Sequence, residues 1–167
     1  LPALKKQQID EFLRESKVAR VATVSDDGSP YIVPVLYDWD GVDLYVVARK
    51  RSAWVQHIRR ENRVAVLVDE EPLPQRKVMI RGVAEILGSD WVEMGRRIVT
   101  RYLGEKVADR YLEGTRDQPR WVIKIRPESI VTWHNPPQLA AGKEAWHPRY
   151  YEPGTKWYEE YQRERKK

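Results

Sequence analysis

The sequence predicts a mostly β fold with flanking helices, in which six or seven short antiparallel strands close into a small barrel. Three observations predict it. Short runs rich in Val, Ile and Tyr recur through residues 1–133 and are separated by turn residues. A single long helical pattern, "DWVEMGRRIVTRYLGEKVADRYLEG", interrupts them late. Closure is the arrangement that removes the exposed edges that several short strands would otherwise leave. With 167 residues, the chain suits one well-buried domain better than two of ordinary size.

The opening "LKKQQIDEFLRES" sets Ile9, Phe12 and Leu13 at helical spacing, an amphipathic helix ending near Lys17. "VARVATV" and "YIVPVLY" are strands about the turn "SDDGSP", where Asp27-Gly28 supplies the positive φ of a tight hairpin. A second turn, "DWDG", leads into "VDLYVVA", and these three strands are expected to form a meander. Pro34 cannot donate to a ladder, so its strand is expected at an edge or bulged. Ser52 is placed to cap a short helix reaching about Glu61, with Trp54 and Ile58 on one face.

"RVAVLVD" is nearly all apolar, as in a strand buried on both sides, and "KVMIRGVAEIL" is a further strand with Gly82 at a bulge or corner. Ser89 or Asp90 caps the long helix, whose Trp91, Met94, Ile98, Tyr102 and Leu103 form an apolar stripe while its outer charges serve solvation. "RWVIKIR" and "SIVTW" are expected as two last strands. From His134 the chain turns rich in Pro, Gly and aromatics, with a short helix after Pro153. The expected organisation is a barrel domain over 1–133 and an arm over 134–167 that packs on the barrel or on a second copy.

Hydrophobic residues make up 41% of the chain, with seven Trp and nine Tyr, enough for a core and too much for a disordered segment. The absence of cysteine excludes disulfides, thiolate nucleophiles, iron–sulfur clusters and thiolate zinc sites. His57, His134 and His147 are scattered without ligand spacing, so no tightly bound metal is expected. No apolar run approaches the roughly 20 residues of a membrane span, and the first residues lack a signal-peptide pattern. The expectation is a soluble, cytoplasmic protein with no membrane partner. The first residue is Leu and not Met, as expected of either a trimmed or a processed end. A net charge of +5 favours anionic partners, either phosphate-bearing small molecules or nucleic acid.

The stretch "RKRSAW" narrows that choice. Arg49, Lys50 and Arg51 can make charge-assisted hydrogen bonds to a phosphate, and the free amides of the helix that follows Ser52 point the same way. The competing reading is a solvated turn of surface cations.

"LYVVARKRSAWVQHIRRENRVAVLVDEEP" followed by "KVMIRGVAEIL" resembles the central block of the pyridoxamine 5'-phosphate oxidase-like family, and "FLRESKVARVATVSDDGSPYIVPVLYDWDG" resembles its opening helix and first hairpin. The similarity covers about Ile9 to Trp133. It implies a split β-barrel of the FMN-binding type, beyond which the sequence itself adds the extended C-terminal arm. It also implies a homodimer with FMN, or the deazaflavin coenzyme (F-420), held between subunits, and redox chemistry on a small-molecule substrate.

On that pattern the phosphate lies against Arg49 to Trp54, Val33, Pro34, Val35 and Tyr37 line the ring system, and Lys77 is a cofactor-facing polar residue. Many relatives carry Ser-Arg-Lys where this chain has Ser52-Ala53-Trp54, so the cations must come from Arg49, Lys50 or Arg51. Trp54 is either a packing residue or a direct cofactor contact. Lys77 is either a cation beside the reduced ring or a lysine that blunts a sheet edge. "WHPRYY" does not match the substrate-phosphate signature of authentic pyridoxamine phosphate oxidases. Trp146, His147, Arg149, Tyr150 and Tyr151 either cap the partner's pocket or pack across the dimer.

No residue is assigned as catalytic, because a flavin carries the redox step itself. The functional classes are an oxidoreductase, a flavin or haem carrier without turnover, and a nucleic-acid binder. The last has only charge and aromatic content behind it; the surplus charge is spread along the chain, and no nucleic-acid motif is present.

Overall fold

Helix α1 (Lys6–Arg14) turns Phe12 and Leu13 into the core, as its apolar spacing requires. Strands β1 (Ala19–Val24) and β2 (Pro30–Val35) follow as a hairpin, with Gly28 at φ 84° in its turn. Then come β3 (Asp38–Trp39), β4 (Leu44–Arg49), α2 (Ala53–Arg60), β5 (Arg63–Asp69) and β6 (Lys77–Gly88). Helices α3 (Val92–Leu103) and α4 (Glu105–Thr115) precede β7 (Arg120–Trp133). This computed structural model describes residues 3–71, 75–135 and 153–166, which fall into two units meeting in sequence between His134 and Asn135. In the second unit, α5 (Lys156–Glu164) is capped by Thr155, whose Oγ1 accepts the Tyr158 N–H at 3.2 Å.

All seven strands form one antiparallel sheet in the order β2-β1-β5-β6-β7-β4-β3. β2 and β3 stand at opposite ends of that order, yet only Leu36 and Tyr37 join them. A link of that length spans about 10 Å. The sheet must therefore curl until its two ends nearly meet, leaving a half-barrel with a seam between β2 and β3. Inside the curl pack Phe12, Leu44, Val66, Ile80, Ile123 and Ile125.

The expected meander does not form: β2 and β4 are not neighbours, and β4 pairs instead with β3 and β7. Pro30 and Pro34 leave β2 short of two donors, which suits the edge that it occupies. β5 lies inside the sheet, with Val64, Val66 and Val68 buried on one face and Ala65 and Leu67 half-buried on the other.

The two expected last strands are one, β7, which runs straight through Pro127. The β6–β7 register shifts at Arg81/Gly82, opposite Pro127, so the bulge takes up the missing donor. Gly82 is obligatory there, since a Cβ would stand 2.2 Å from the Arg126 carbonyl oxygen.

The single long helix is also corrected. Gly104, at φ 86°, breaks it into α3 and α4, and Leu103 before the break is exposed. Neither Ser89 nor Asp90 caps it; the N-cap position is Trp91, which makes no side-chain cap bond.

Candidate functional site

A cleft of ≈ 280 Å³ opens beside the seam. Val33, Pro34 and Val35 of β2 form one wall, and Ala48 with Arg49 at the end of β4 forms another. Ser52 and Trp54 contribute from the start of α2, Ile98 and Val99 from α3, and Arg120 from the start of β7. Six of the ten residues expected from the sequence are thus brought together: Val33, Pro34, Val35, Arg49, Ser52 and Trp54.

The turn after β4 sorts the cationic triplet. Arg49, the last residue of the strand, lines the cleft, while Lys50, in the turn that follows, does not. Lys50 lies over the ring of Trp121 at 5.3 Å, with Arg59 over the same ring at 5.2 Å. Arg51 stays exposed in the turn. Ser52 occupies the N-cap position of α2, but its hydroxyl makes no cap bond; its carbonyl accepts the Val55 N–H at 3.0 Å. The hydroxyl and the first amides of α2 remain available to a ligand oxygen. Trp54 is 5% exposed and belongs to the core, touching the cleft only as part of its floor.

Two expected residues lie elsewhere. Tyr37 does not line the cleft: it is fully buried, its hydroxyl has no partner, and burial pushes its phenol pKa up. The reason is the seam itself, because the short link from β2 to β3 turns this side chain inward. Lys77 opens β6, which lies between β5 and β7 and is not an edge. Its Nζ sits 5.8 Å from the Trp133 ring. Lys77 pairs with Trp133 and Arg49 with Arg120, at opposite ends of the fourteen-residue β7, so about 40 Å of strand separates them within one protomer.

His57 is committed to structure: its Nδ1 is 3.0 Å from Thr23 Oγ1, and Tyr31 packs edge-on at 5.1 Å. Among the described residues no group of three His, Asp or Glu could hold a metal. Trp146, His147, Arg149, Tyr150 and Tyr151 lie outside the described residues.

Sequence reasoning missed Arg120 and the α3 wall. Arg120 is 8% exposed, yet it has no carboxylate within 4 Å among the described residues. Its position opposite Arg49 depends on a pairing between strands about seventy residues apart, which no local pattern encodes.

A larger groove of ≈ 680 Å³ lies along the far end of α2, lined by Arg59, Arg60, Lys124 and Arg126. None of the expected residues lines it. Arg60 is already paired with Asp26 at 3.0 Å and Lys124 with Glu85 at 3.0 Å.

The smaller cleft therefore offers an apolar wall for a flat ring and an unpaired cation with a helix start for an anionic tail, a donor set that fits a flavin coenzyme. Together with the curled seven-stranded sheet, it defines a split β-barrel of the flavin-binding type. Residues 6–134 match the pyridoxamine 5'-phosphate oxidase family model, and the chain belongs to that family. It is 30% identical over 142 residues to a 5a,11a-dehydrotetracycline/5a,11a-dehydrooxytetracycline reductase of Streptomyces rimosus, covering 80% of this chain and 86% of that one. An F420 reductase superposes with a TM-score of 0.59 at 23% identity, over 72% of this chain and 94% of its own. The heme storage protein HutZ of Vibrio cholerae superposes at 0.61 with 17% identity, over 77% and 95%. At these identities the two structures establish the fold alone.

Proposed function

We propose that this protein is a reductase that binds FMN or the deazaflavin coenzyme (F-420) in the cleft, between two copies of the chain, and passes a hydride to an unsaturated small molecule. The observation that carries this reading is the cleft itself, with the apolar Val33–Pro34–Val35 wall on one side and Arg49, Ser52 and the start of α2 on the other. The reductase name of the Streptomyces relative supports the direction of the chemistry.

When bound, the coenzyme supplies the hydride. The chain's own part is to anchor the tail at Arg49, to seat the ring against β2, and to exclude water with Ile98, Val99 and Trp54. No His, Asp or Glu is among the cleft's lining residues, which agrees with a reaction that needs no protein acid or base.

A second copy is supported by the exposed apolar residues Tyr31, Ile32 and Leu36 on and beside edge strand β2. A dimer would also give Lys77 a route to a ring seated in the other protomer's cleft.

The test is titration of purified protein with FMN and with F-420, followed by single-turnover reoxidation of the bound, reduced coenzyme by unsaturated acceptors. Binding of one coenzyme and oxidation by an acceptor support a reductase. Failure to bind either refutes the reading, and binding without any acceptor-dependent oxidation leaves a carrier.

A further inference from the structure

Arg49 and Arg120 are directly opposite each other in the β4–β7 ladder, and both line the cleft. Directly opposed residues of antiparallel strands share a face, with Cβ atoms about 5 Å apart, and like charges so placed repel. Neither guanidinium has a carboxylate partner among the described residues. Arg120 Nη2 donates to Gln118 Oε1 at 2.8 Å, while Nε is enclosed without any partner. The Arg120 guanidinium is fixed by aromatic faces, 4.9 Å from the Trp91 ring and 5.4 Å from that of Tyr111.

Arg101 provides an internal comparison. Its Nε also lacks a partner, but it donates to the carbonyls of Leu13, Glu15 and Tyr37 and has Asp38 at 3.6 Å. Where this fold needs an arginine for structure, it surrounds the charge with oxygen. At Arg120 one neutral amide oxygen, Gln118 Oε1, stands in for that shell, and no carboxylate among the described residues offsets the charge, although an uncompensated buried charge is strongly unfavourable.

We infer that Arg49 and Arg120 form a two-guanidinium clamp for a single phosphate group, entering at the β4–β7 end of the cleft. Two planar forks meet three phosphate oxygens, and Ser52 with the start of α2 supplies further donors. This assigns a ligand-binding role to Arg120 and makes the cross-strand pair, not the run 49–51, the determinant of affinity. The identity of the ligand as a flavin-type coenzyme rests on the proposed function; the clamp does not.

The experiment compares wild type with Arg49→Gln, Arg120→Met and the double variant, titrated with FMN, F-420 and inorganic pyrophosphate, alongside melting of the ligand-free proteins. Each single change is expected to weaken binding by about tenfold or more. The double variant is expected to lose less than the product of the two, because both groups hold one anion. Ligand-free Arg120→Met is expected to melt no lower than wild type, since Met keeps contact with Trp91 and Tyr111 and removes an unpaired charge.

Wild-type affinity in Arg120→Met would overturn the clamp while leaving the coenzyme site standing. Pyrophosphate protection that depends on both arginines, without binding of either coenzyme, would uphold the clamp and refute the reductase. Should Arg120→Met fail to fold, Arg120→Lys keeps the charge but loses the fork, so a several-fold loss of affinity supports the clamp and wild-type affinity overturns it.

Discussion

Glu70→Gln tests how the end of α1 is locked to the sheet. The Glu70 side chain is 8% exposed and accepts four bonds: Arg76 Nε at 2.7 Å, Arg76 Nη2 at 2.8 Å, the Arg76 amide at 3.2 Å and Lys17 Nζ at 3.0 Å. Arg76 also grips Glu15 at 2.8 and 3.1 Å and stacks on the Phe12 ring at 4.6 Å. The Arg76 guanidinium, against the opposing effect of burial, lowers the Glu70 carboxyl from an ordinary 4.5 to about 2. A depression of that size corresponds to about 3 kcal/mol of folding free energy.

A depressed folded-state pKa stabilises above the unfolded value, so this contribution is complete above about pH 5 and fades as the pH falls toward 2. Glu70→Gln keeps the shape and removes the charge. Urea unfolding followed by circular dichroism at pH 7 is expected to give a variant about 3 kcal/mol less stable, equivalent to about 10 °C in melting temperature for a unit of this size. The gap between the two proteins should narrow steadily below pH 5. A loss under about 1 kcal/mol at neutral pH, or a gap that does not change with pH, would refute the reasoning.

Gly82→Ala is expected to cost about 3 kcal/mol or more, because its Cβ would meet backbone 2.2 Å away that the β6–β7 ladder holds in place; urea unfolding measures it. Lys50→Ala is expected to leave coenzyme affinity within about twofold, since this side chain lies over Trp121 and not in the cleft, and the same titration with FMN and F-420 checks it. Wild type is expected to elute with the mass of two chains in light scattering, and Ile32→Glu, which puts a charge on a residue 62% exposed, to shift that mass toward one chain with no loss of secondary structure.

What the sequence revealed was local. Asp27-Gly28 marked the hairpin, Pro34 the edge strand and Gly82 the bulge, because each restricts its own backbone. What it concealed was long-range or compensated. Two strands were expected where β7 runs unbroken through Pro127, because Glu128, the extra residue on β7, is taken up as a bulge against β6. Gly104 lay inside a continuous helical pattern, and only its positive φ shows the break. Val33, Pro34 and Val35 could be placed at the cleft from resemblance, whereas Tyr37, two residues past the strand, was reversed by the turn into the seam. Arg120 sits in a run of alternating residues that reads as an ordinary strand start, and its significance appears only beside Arg49.

The parts of the cleft are coupled through packing that has no role except to hold them. A Cβ on Gly95 would stand 2.8 Å from the Trp91 ring, so the close approach of α3 to that indole requires a glycine. Trp91 Nε1 in turn donates to the Gln118 carbonyl at 3.1 Å, and the other end of Gln118 accepts from Arg120. The indole thus fixes both the loop before β7 and the guanidinium above it. Gly95 and Arg120 also line the cleft directly, so the wall and the charge are set by one contact. An arginine held this firmly has already lost the side-chain entropy that a flexible surface cation would surrender on binding. Rigid placement of a charge that the fold itself does not neutralise is the physical property that separates Arg120 from the paired arginines of this chain, and it is what an anion-binding site requires.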